Sequence, residues 1–288
     1  MYQDWAQSSQ KPTTFSSRER IRRAAKARPK IPLVDRNSPV MKISEHAIGK
    51  IARMQTGRNL LMIIVHQALT ETLVRMRKNA SFRKRHNGQA CDAYRLMSTD
   101  EFKGINARQS WANWRTIPRN LNCRLPNVPV TIVDLCCGIG QSTEVLAYFA
   151  APGSEIIGYE FNPEFVALAR KRQYFNEQGH LARVKFRAQS VLNTFCWRDN
   201  HPIEDGCIDL VNSSGAVGCH FDVDATKVLA TEIRRVLKSG GLAMIDAGPG
   251  GTSPKALREV FQGLGFEMLH SARSCALDRY TQICFRKL

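Results

Sequence analysis

Short apolar runs alternate with segments of helical periodicity throughout the second half of the chain. This alternation predicts βαβ units and a mostly parallel, doubly wound α/β sheet. The last two apolar runs lie too close together for a helical crossover, so we expect them to pair as an antiparallel hairpin. The predicted strands are 128–135, 155–160, 184–188, 207–213, 242–247, 266–270 and 279–286, and the predicted helices are 141–149, 163–176, 222–238 and 253–264.

The first half of the chain has helical periodicity. It extends over 44–78, with Gly57 separating two helices or ending the first, and returns over 99–114, which Thr99 or Asp100 should cap. Residues 1–43 are polar and basic, which is typical of a flexible arm. The predicted organisation is therefore an arm at 1–43, a helical cap or substrate region at 44–127, and an α/β domain at 128–288.

Positive charge is concentrated in the first half. Residues 1–128 carry 25 Lys and Arg against 8 Asp and Glu, a formal net charge of +17, and the remaining residues balance to zero. Such asymmetry suggests a polyanion or an anionic surface as a partner of the first half. The stretch 60–76 is apolar enough either to be buried or to form a homodimer interface.

Composition narrows the class of protein. A hydrophobic content of 43% with 23% charged residues is ordinary for a globular protein. No apolar run approaches the ~20 residues that a membrane-spanning helix needs. The nine cysteines are odd in number and irregularly spaced, with no Cys-x-x-Cys pair. This pattern favours reduced thiols in a cytoplasmic protein and predicts no metal site.

The segment 133–143, Val-Asp-Leu-Cys-Cys-Gly-Ile-Gly-Gln-Ser-Thr, follows a predicted strand and opens a predicted helix. Its glycines allow the backbone to approach a ligand, with helix N–H groups facing it. Glu160 ends the next strand, where a carboxylate can accept hydrogen bonds from both hydroxyls of a ribose. Thr143 replaces the third glycine of the NAD fingerprint, and Asp134 suits an ammonium or sulfonium group better than a pyrophosphate. A nucleotide-like ligand is therefore expected.

On these residues the second half resembles the class I S-adenosylmethionine-dependent methyltransferases, which have a Rossmann-like fold. Residues 134–140 resemble the first motif of that family, with Cys136 in place of a glycine, a form similar to that of some quinone-biosynthesis methyltransferases. Residues 160–163, 208–214 and 235–241 resemble the ends of later strands and the turns beside them. Ser190 departs from the family pattern at the adenine. The resemblance covers 128–288.

The resemblance implies S-adenosylmethionine as the cofactor and gives each matching residue a role. Asp134 would orient the methionine amino group, Gly138 and Gly140 would contact the methionyl part, and Glu160 would hold the ribose. The full set of expected cofactor-binding residues is Asp134, Cys136, Gly138, Gly140, Gln141, Glu160, Phe161, Asn162, Gln189, Ser190 and Ser213.

Methyl transfer from a sulfonium is an in-line displacement, so most of the acceleration can come from positioning the acceptor, and a general base is optional. The candidate base is His220, which follows the fourth strand; a histidine there without a chemical role is the alternative. Cys219 is a weaker candidate nucleophile because it lacks the Pro-Cys context of base C5-methylation. Residues 212–214 also differ from the Asn-Pro-Pro-Tyr motif used on exocyclic amines.

The region before the first motif is expected to recognise the acceptor. Trp111 and Trp114 stand three residues apart on a predicted helix, as core anchors or as substrate-stacking groups. Arg115 or Arg119 could reach the methionine carboxylate or could instead bind solvent or backbone. Tyr94 belongs to the same region.

Three functions remain open from the sequence. The first is a methyltransferase for a small-molecule or lipid-like acceptor, favoured by the quinone-type motif. The second is an RNA or other polyanion methyltransferase that uses the basic first half. The third is a non-enzymatic module that binds nucleic acid or a membrane. Neither the acceptor atom nor the oligomeric state follows from the sequence.

Overall fold

The computed structural model describes residues 57–78, 94, 97–121, 128–197 and 200–288. A seven-stranded sheet has the order β3-β2-β1-β4-β5-β7-β6, in which β7 alone runs antiparallel to both of its neighbours. The predicted α/β fold with a C-terminal antiparallel hairpin is thereby confirmed. The strands are β1 (Thr131–Leu135), β2 (Glu155–Glu160), β3 (Arg183–Ala188), β4 (Ile208–Ser213), β5 (Leu237–Ala247), β6 (Phe266–Ala272) and β7 (Thr281–Lys287).

Helices cover both faces of the sheet and bury two separate hydrophobic clusters against it. Ile117, Val145 and Val166 bring three helices onto one face, and Ile233 and Phe261 bring two others onto the opposite face. The helices are α1 (Gly57–Lys78), α2 (Thr99–Ile105), α3 (Ala107–Leu121), α4 (Gln141–Phe149), α5 (Pro163–Arg170), α6 (Val217–His220), α7 (Val223–Val236) and α8 (Pro254–Gly263).

The strand order reverses between β1 and β4. From β1 the chain moves outward to β2 and β3, and then returns to place β4 on the other side of β1. In open parallel sheets a ligand crevice forms at such a switch point, outside the carboxyl ends of the strands. The fold therefore places the loops after β1, β2, β3 and β4 around one crevice.

Several predicted boundaries were wrong, each for a local reason. The single helix expected at 99–114 is two helices that meet at Asn106, and Ser98 rather than Thr99 or Asp100 caps the first through a capping box. Pro118 lies inside α3 because tertiary packing carries the helix on to Leu121. The helix expected at 222–238 ends at Val236, and β5 begins directly after it and continues through the glycines that were expected to end the helix.

One further helix ends earlier than predicted, and one helix was not predicted. The helix that begins at Pro163 ends at Arg170 instead of continuing to residue 176. A short bridge between Phe175 and Leu181 follows it, so this segment turns back before β3. The helix α6 (Val217–His220) has only four residues, which is too short for a periodicity argument.

The N-terminal helices pack above the sheet. The helix α1 contacts α2 and α3, and it buries Ile63 and Val74 while Met62 and Leu69 stay exposed. The homodimer interface and the domain boundaries at 43 and 127 stay predictions. The predicted arm at 1–43 and the predicted helical segment at 44–56 lie outside the described residues. None of the described helices is both long and apolar enough to cross a bilayer.

Candidate active site

A cavity of about 330 Å³ lies at the switch point, at the carboxyl ends of β1 to β4. Its volume falls in the range of roughly 300–1,000 Å³ that is usual for small-molecule sites. The loops that follow the four strands form its floor and sides. Tyr94 and four residues at or beside α2 and α3 form the roof, which are Phe102, Asn106, Gln109 and Asn113.

The loop after β1 approaches the cavity with its backbone. Gly138 and Gly140 have φ angles of 56° and 83°, and Cys136 also has a positive φ of 51°. A Cβ at Gly140 would overlap the Tyr174 hydroxyl, and one at Gly138 would lie 2.7 Å from Cζ of Phe102. Left-handed backbone and close packing therefore require glycine at both positions.

Glu160 ends β2 and presents a buried carboxylate to the cavity. Its Oε2 accepts a hydrogen bond from the backbone N–H of Gly138 at 3.0 Å, and its Oε1 accepts one from the N–H of Asn162 at 2.9 Å. Burial raises the pKa of Glu160 to about 7, although these bonds oppose the shift. Each oxygen has a lone pair left for a ligand hydroxyl.

Asp134, near the end of β1, is not among the residues that line the cavity. It is fully buried, with Oδ2 accepting from the hydroxyls of Ser142 and Thr143 and Oδ1 from the Asn212 amide, at 2.6–2.7 Å. Burial raises the pKa of Asp134 to about 6. The carboxylate therefore organises the strand end and the start of α4.

His220 reaches the cavity from the end of α6. Its Nε2 lies 3.2 Å from the hydroxyl of Tyr94, and the two rings meet edge to face at 4.8 Å. Tyr94 also contacts Phe102, which packs on Phe165. An aromatic row thus extends from His220 along the roof to the side of the cavity near Glu160.

Asp246, at the end of β5, holds α6 in place and was not predicted from the sequence. Its Oδ1 accepts from the Ser213 hydroxyl at 3.0 Å and from the backbone N–H groups of Ala216 and Val217 at 3.2 Å. Its Oδ2 accepts from the N–H of Gly218 at 2.8 Å. One buried carboxylate therefore satisfies the start of the helix that carries His220.

The aromatic and basic residues that were expected to recognise ligands lie elsewhere, with the exception of Tyr94. Trp111 is buried against Ile63, and Trp114 packs against the helix α4. Arg115 stacks on the Trp111 ring, and Arg119 donates to the carbonyl of Arg273. Neither arginine lines the cavity, so their predicted contact with a methionine carboxylate finds no support in this geometry.

The structure brings most of the predicted cofactor residues together. Four do not line the cavity: Asp134 binds Ser142 and Thr143, Gly140 precedes α4, Asn162 caps α5, and Ser213 binds Asp246. The predicted residues that line the cavity are Cys136, Gly138, Gln141, Glu160, Phe161, Gln189, Ser190 and His220. A role as general base stays a prediction for His220, and a role in cofactor binding stays a prediction for the other residues of both groups.

The cysteines near the site are poor nucleophiles. Burial raises the pKa of Cys219 to about 12, and burial together with nearby carboxylates raises the pKa of the Cys136 and Cys137 thiols well above the usual value. Because thiolates are the reactive form, these groups stay protonated and unreactive at neutral pH. Among the described residues, no group of three or more His, Cys, Asp or Glu side chains could hold a metal ion.

The donor set of the cavity fits a nucleoside with a polar tail. Glu160 can receive two ribose hydroxyls, Gln189 and Ser190 lie beside it after β3, and the roof holds neutral carboxamides. A sulfonium nearby is compatible with the cavity because the walls offer a carboxylate and aromatic faces, which attract cations.

Comparison with known proteins agrees with this geometry. Residues 132–241 match the family model described as a methyltransferase domain. The demethylmenaquinone methyltransferase of Thermus thermophilus is 30% identical over 132 residues, which are 46% of this chain and 52% of that protein. The enzyme of the same name from Lactococcus lactis is 29% identical over 112 residues, 39% of each protein. The chain thus spans about half, or less, of these curated relatives.

Among solved structures, a TehB-like S-adenosylmethionine-dependent methyltransferase from Corynebacterium glutamicum is 20% identical, with a TM-score of 0.44. The match covers 59% of this chain and 86% of that one. The match of residues 132–241 to the methyltransferase-domain model agrees with the sequence motifs, and this segment is therefore similar to that family.

Proposed function

We propose that this protein transfers the methyl group of S-adenosylmethionine by in-line displacement to a small-molecule or lipid-like acceptor. The observation that carries the proposal is the position of Glu160. Its carboxylate is buried at the end of β2, bound to the loop after β1, and open to the cavity at the switch point. A carboxylate has little packing value there, whereas it suits the two hydroxyls of a ribose.

Each of these cavity residues would have its own role in binding or in methyl transfer. Glu160 accepts the ribose hydroxyls, and Gln189 and Ser190 lie beside the base. The cofactor, when bound, supplies a methyl group made electrophilic by its sulfonium. The roof formed by Tyr94 and Phe102 shields the reacting groups from water, which favours a fixed approach of the acceptor. His220 is placed to accept a proton where the acceptor has one to lose.

The nature of the acceptor is argued from the cavity wall and the relatives. Tyr94, Phe102, Phe165 and Phe221 contribute aromatic surface to the cavity, which suits a planar or apolar acceptor better than a phosphate chain. The two curated relatives are named as demethylmenaquinone methyltransferases, so a quinone-type ring is the first acceptor class to test. The cavity residues named here include no lysine or arginine, which argues against a polyanion in the site itself.

Methyl transfer can be measured with cofactor that carries a labelled methyl group. The purified full chain is incubated with demethylmenaquinone in detergent and, in parallel, with total RNA. Label in the organic extract, lost when His220 or Glu160 is replaced, supports the proposal. Label in RNA alone, or no transfer to any member of a wider quinone and phenol panel despite cofactor binding, contradicts the proposed acceptor class.

A further inference from the structure

The start of α3 presents a pair of carboxamides to the cavity. Gln109 and Asn113 are four residues apart and so share one face of the helix. The Nε2 group of Gln109 donates to Oδ1 of Asn113 at 2.8 Å, and both side chains line the cavity. Asn113 is only 2% exposed, so its amide is buried at the cavity wall.

Each amide keeps one unused polar group. Within the described part of the chain, Nδ2 of Asn113 and Oε1 of Gln109 have no hydrogen-bond partner. Turning both amides over exchanges the atoms but again leaves one donor and one acceptor. Neither atom is among the buried side-chain atoms without a partner in the described residues, so both are accessible from the cavity, where a ligand can bind them.

The position of the pair indicates which part of a ligand it meets. Gln109 packs on Gly215 after β4, where a Cβ would lie 2.6 Å from its Cδ. Glu160 ends β2, on the opposite side of β1. A nucleoside whose ribose is bound at Glu160 and whose tail crosses β1 would therefore bring that tail to Gln109 and Asn113.

The charged groups that were expected to bind such a tail are not available to it. Asp134 is fully buried, does not line the cavity, and already accepts from three side-chain donors. Arg115 and Arg119 bind backbone carbonyls away from the cavity. An α-amino-acid end nevertheless carries an ammonium donor and a carboxylate acceptor, which match the free oxygen and the free NH₂ of the pair.

We propose that Gln109 and Asn113 bind the α-amino-acid end of the cofactor as a neutral carboxamide pair, in place of Asp134 and an arginine. This inference rests on the proposed function, because it assumes the nucleoside orientation set by Glu160. It makes the two amides specificity residues that distinguish a cofactor with an amino-acid end from a nucleoside without one. Asp134 then has an organising role only.

The test compares two ligands by isothermal titration calorimetry on the full chain. S-adenosylhomocysteine has the amino-acid end, and 5′-methylthioadenosine shares its thioether nucleoside but lacks that end. We expect the wild type to prefer the first ligand. In Asn113→Leu and in Gln109→Ala the preference should fall by roughly five- to tenfold, as for a lost hydrogen bond, while the affinity for 5′-methylthioadenosine is kept.

Two further variants and a salt series complete the design. Asn193→Ala changes a cavity residue after β3 and should leave the preference within about twofold of wild type, since β3 and β4 lie on opposite sides of β1. Asp134→Asn should also keep the preference. Because the proposed contacts on the protein are uncharged, the preference should change little between low and high salt, whereas an exposed charge pair is screened.

The outcomes separate this inference from the proposed function. Unchanged preference in folded Asn113→Leu and Gln109→Ala, with melting temperatures near wild type, overturns the inference. A preference that is lost only in Asp134→Asn also overturns the inference. The same holds if Asn113→Leu raises the KM for the acceptor but leaves the preference between the two nucleosides unaltered. A wild type that binds neither nucleoside contradicts the proposed function itself.

Discussion

The backbone N–H of Gly138 donates a hydrogen bond to the Glu160 carboxylate across 3.0 Å, so the loop after β1 is bound to the end of β2. The same carboxylate accepts from the N–H of Asn162, which begins the turn into α5. One ionisable side chain therefore fixes two loops of the cavity and also lines it. Its protonation state affects both the shape of the site and its hydrogen-bonding capacity.

Burial raises the pKa of Glu160 to about 7, so we expect the proposed nucleoside binding to depend on pH. The ionised carboxylate accepts ribose hydroxyls better than the neutral acid, so S-adenosylhomocysteine should bind more tightly as pH rises. For one linked proton the affinity should increase by roughly tenfold between pH 6 and pH 8. Calorimetry across this range measures it.

Glu160→Gln is the matched variant, because it keeps the shape of the side chain and one acceptor oxygen but does not titrate. Its affinity should be lower and nearly independent of pH. A pH profile as steep as that of the wild type would instead assign the dependence to another group, such as Asp134, whose pKa burial raises to about 6.

The raised pKa values of Glu160 and Asp134 also predict how the stability of the ligand-free protein depends on pH. Both carboxyls bind a proton more tightly in the folded state than in the unfolded chain, where the pKa has its ordinary value of 4.5 for Glu160 and 3.8 for Asp134. Their contribution to stability is therefore full at acid pH and is lost as pH rises from about 4 to about 7. Urea unfolding should show a smaller loss over this window in Glu160→Gln than in wild type; an equal loss would contradict the assignment.

Gly140 should tolerate no side chain. Its φ of 83° is strained for other residues, and a Cβ would overlap the buried hydroxyl of Tyr174. Gly140→Ala should lower the free energy of unfolding by about 2–5 kcal/mol. Gly179 is the control, because its φ of 80° is similar but open space surrounds it; Gly179→Ala should cost about 1–2 kcal/mol. Equal costs in chemical denaturation would show that backbone strain alone sets the requirement at Gly140.

The alternation of strand and helix predicted most of the sheet, because each strand of the buried interior is a short apolar run. The ends of β2 and α4 agree residue by residue with the prediction. Prediction failed where long-range packing decides the residue at which a helix or strand ends. At Pro118 the packing of Ile117 and Leu121 on the sheet stabilises a helix that local propensity would stop.

The candidate site was predictable on the loops after strands and less so elsewhere. Glu160 and Gly138 could be found because their order along the chain fixes their place at the strand ends. Asp246, Gln109 and Asn113 could not, since they meet the site through the packing of β5 and α3. The spacing of the two amides on one face of α3 was the only local signal, and polar residues on one helix face usually indicate solvent exposure.

Asp246 should affect both stability and methyl transfer. Replacement by alanine removes the acceptor of three backbone N–H groups and the Ser213 hydroxyl, which should cost about 3–5 kcal/mol. The helix α6 would lose its anchor, so kcat should fall while nucleoside affinity changes less. Ser253→Ala, which removes the cap of α8, is the control and should cost about 1 kcal/mol with kcat retained. Nucleoside affinity that falls as far as kcat would contradict a role confined to α6.

Arg108 joins the roof of the cavity to the loop between β6 and β7. Its guanidinium binds the carboxylate of Asp278, which is buried and also accepts from Ser274 and from the N–H of Tyr280. Arg108→Ala would leave that carboxylate without its counter-ion and should cost about 3–5 kcal/mol. The exposed pair of Lys227 and Asp224 is the control, and Lys227→Ala should cost less than about 1 kcal/mol. Because Gln109 follows Arg108 on α3, Arg108→Ala should also reduce the preference for S-adenosylhomocysteine over 5′-methylthioadenosine, and an unaltered preference in the folded variant would show that α3 keeps its place without the ion pair.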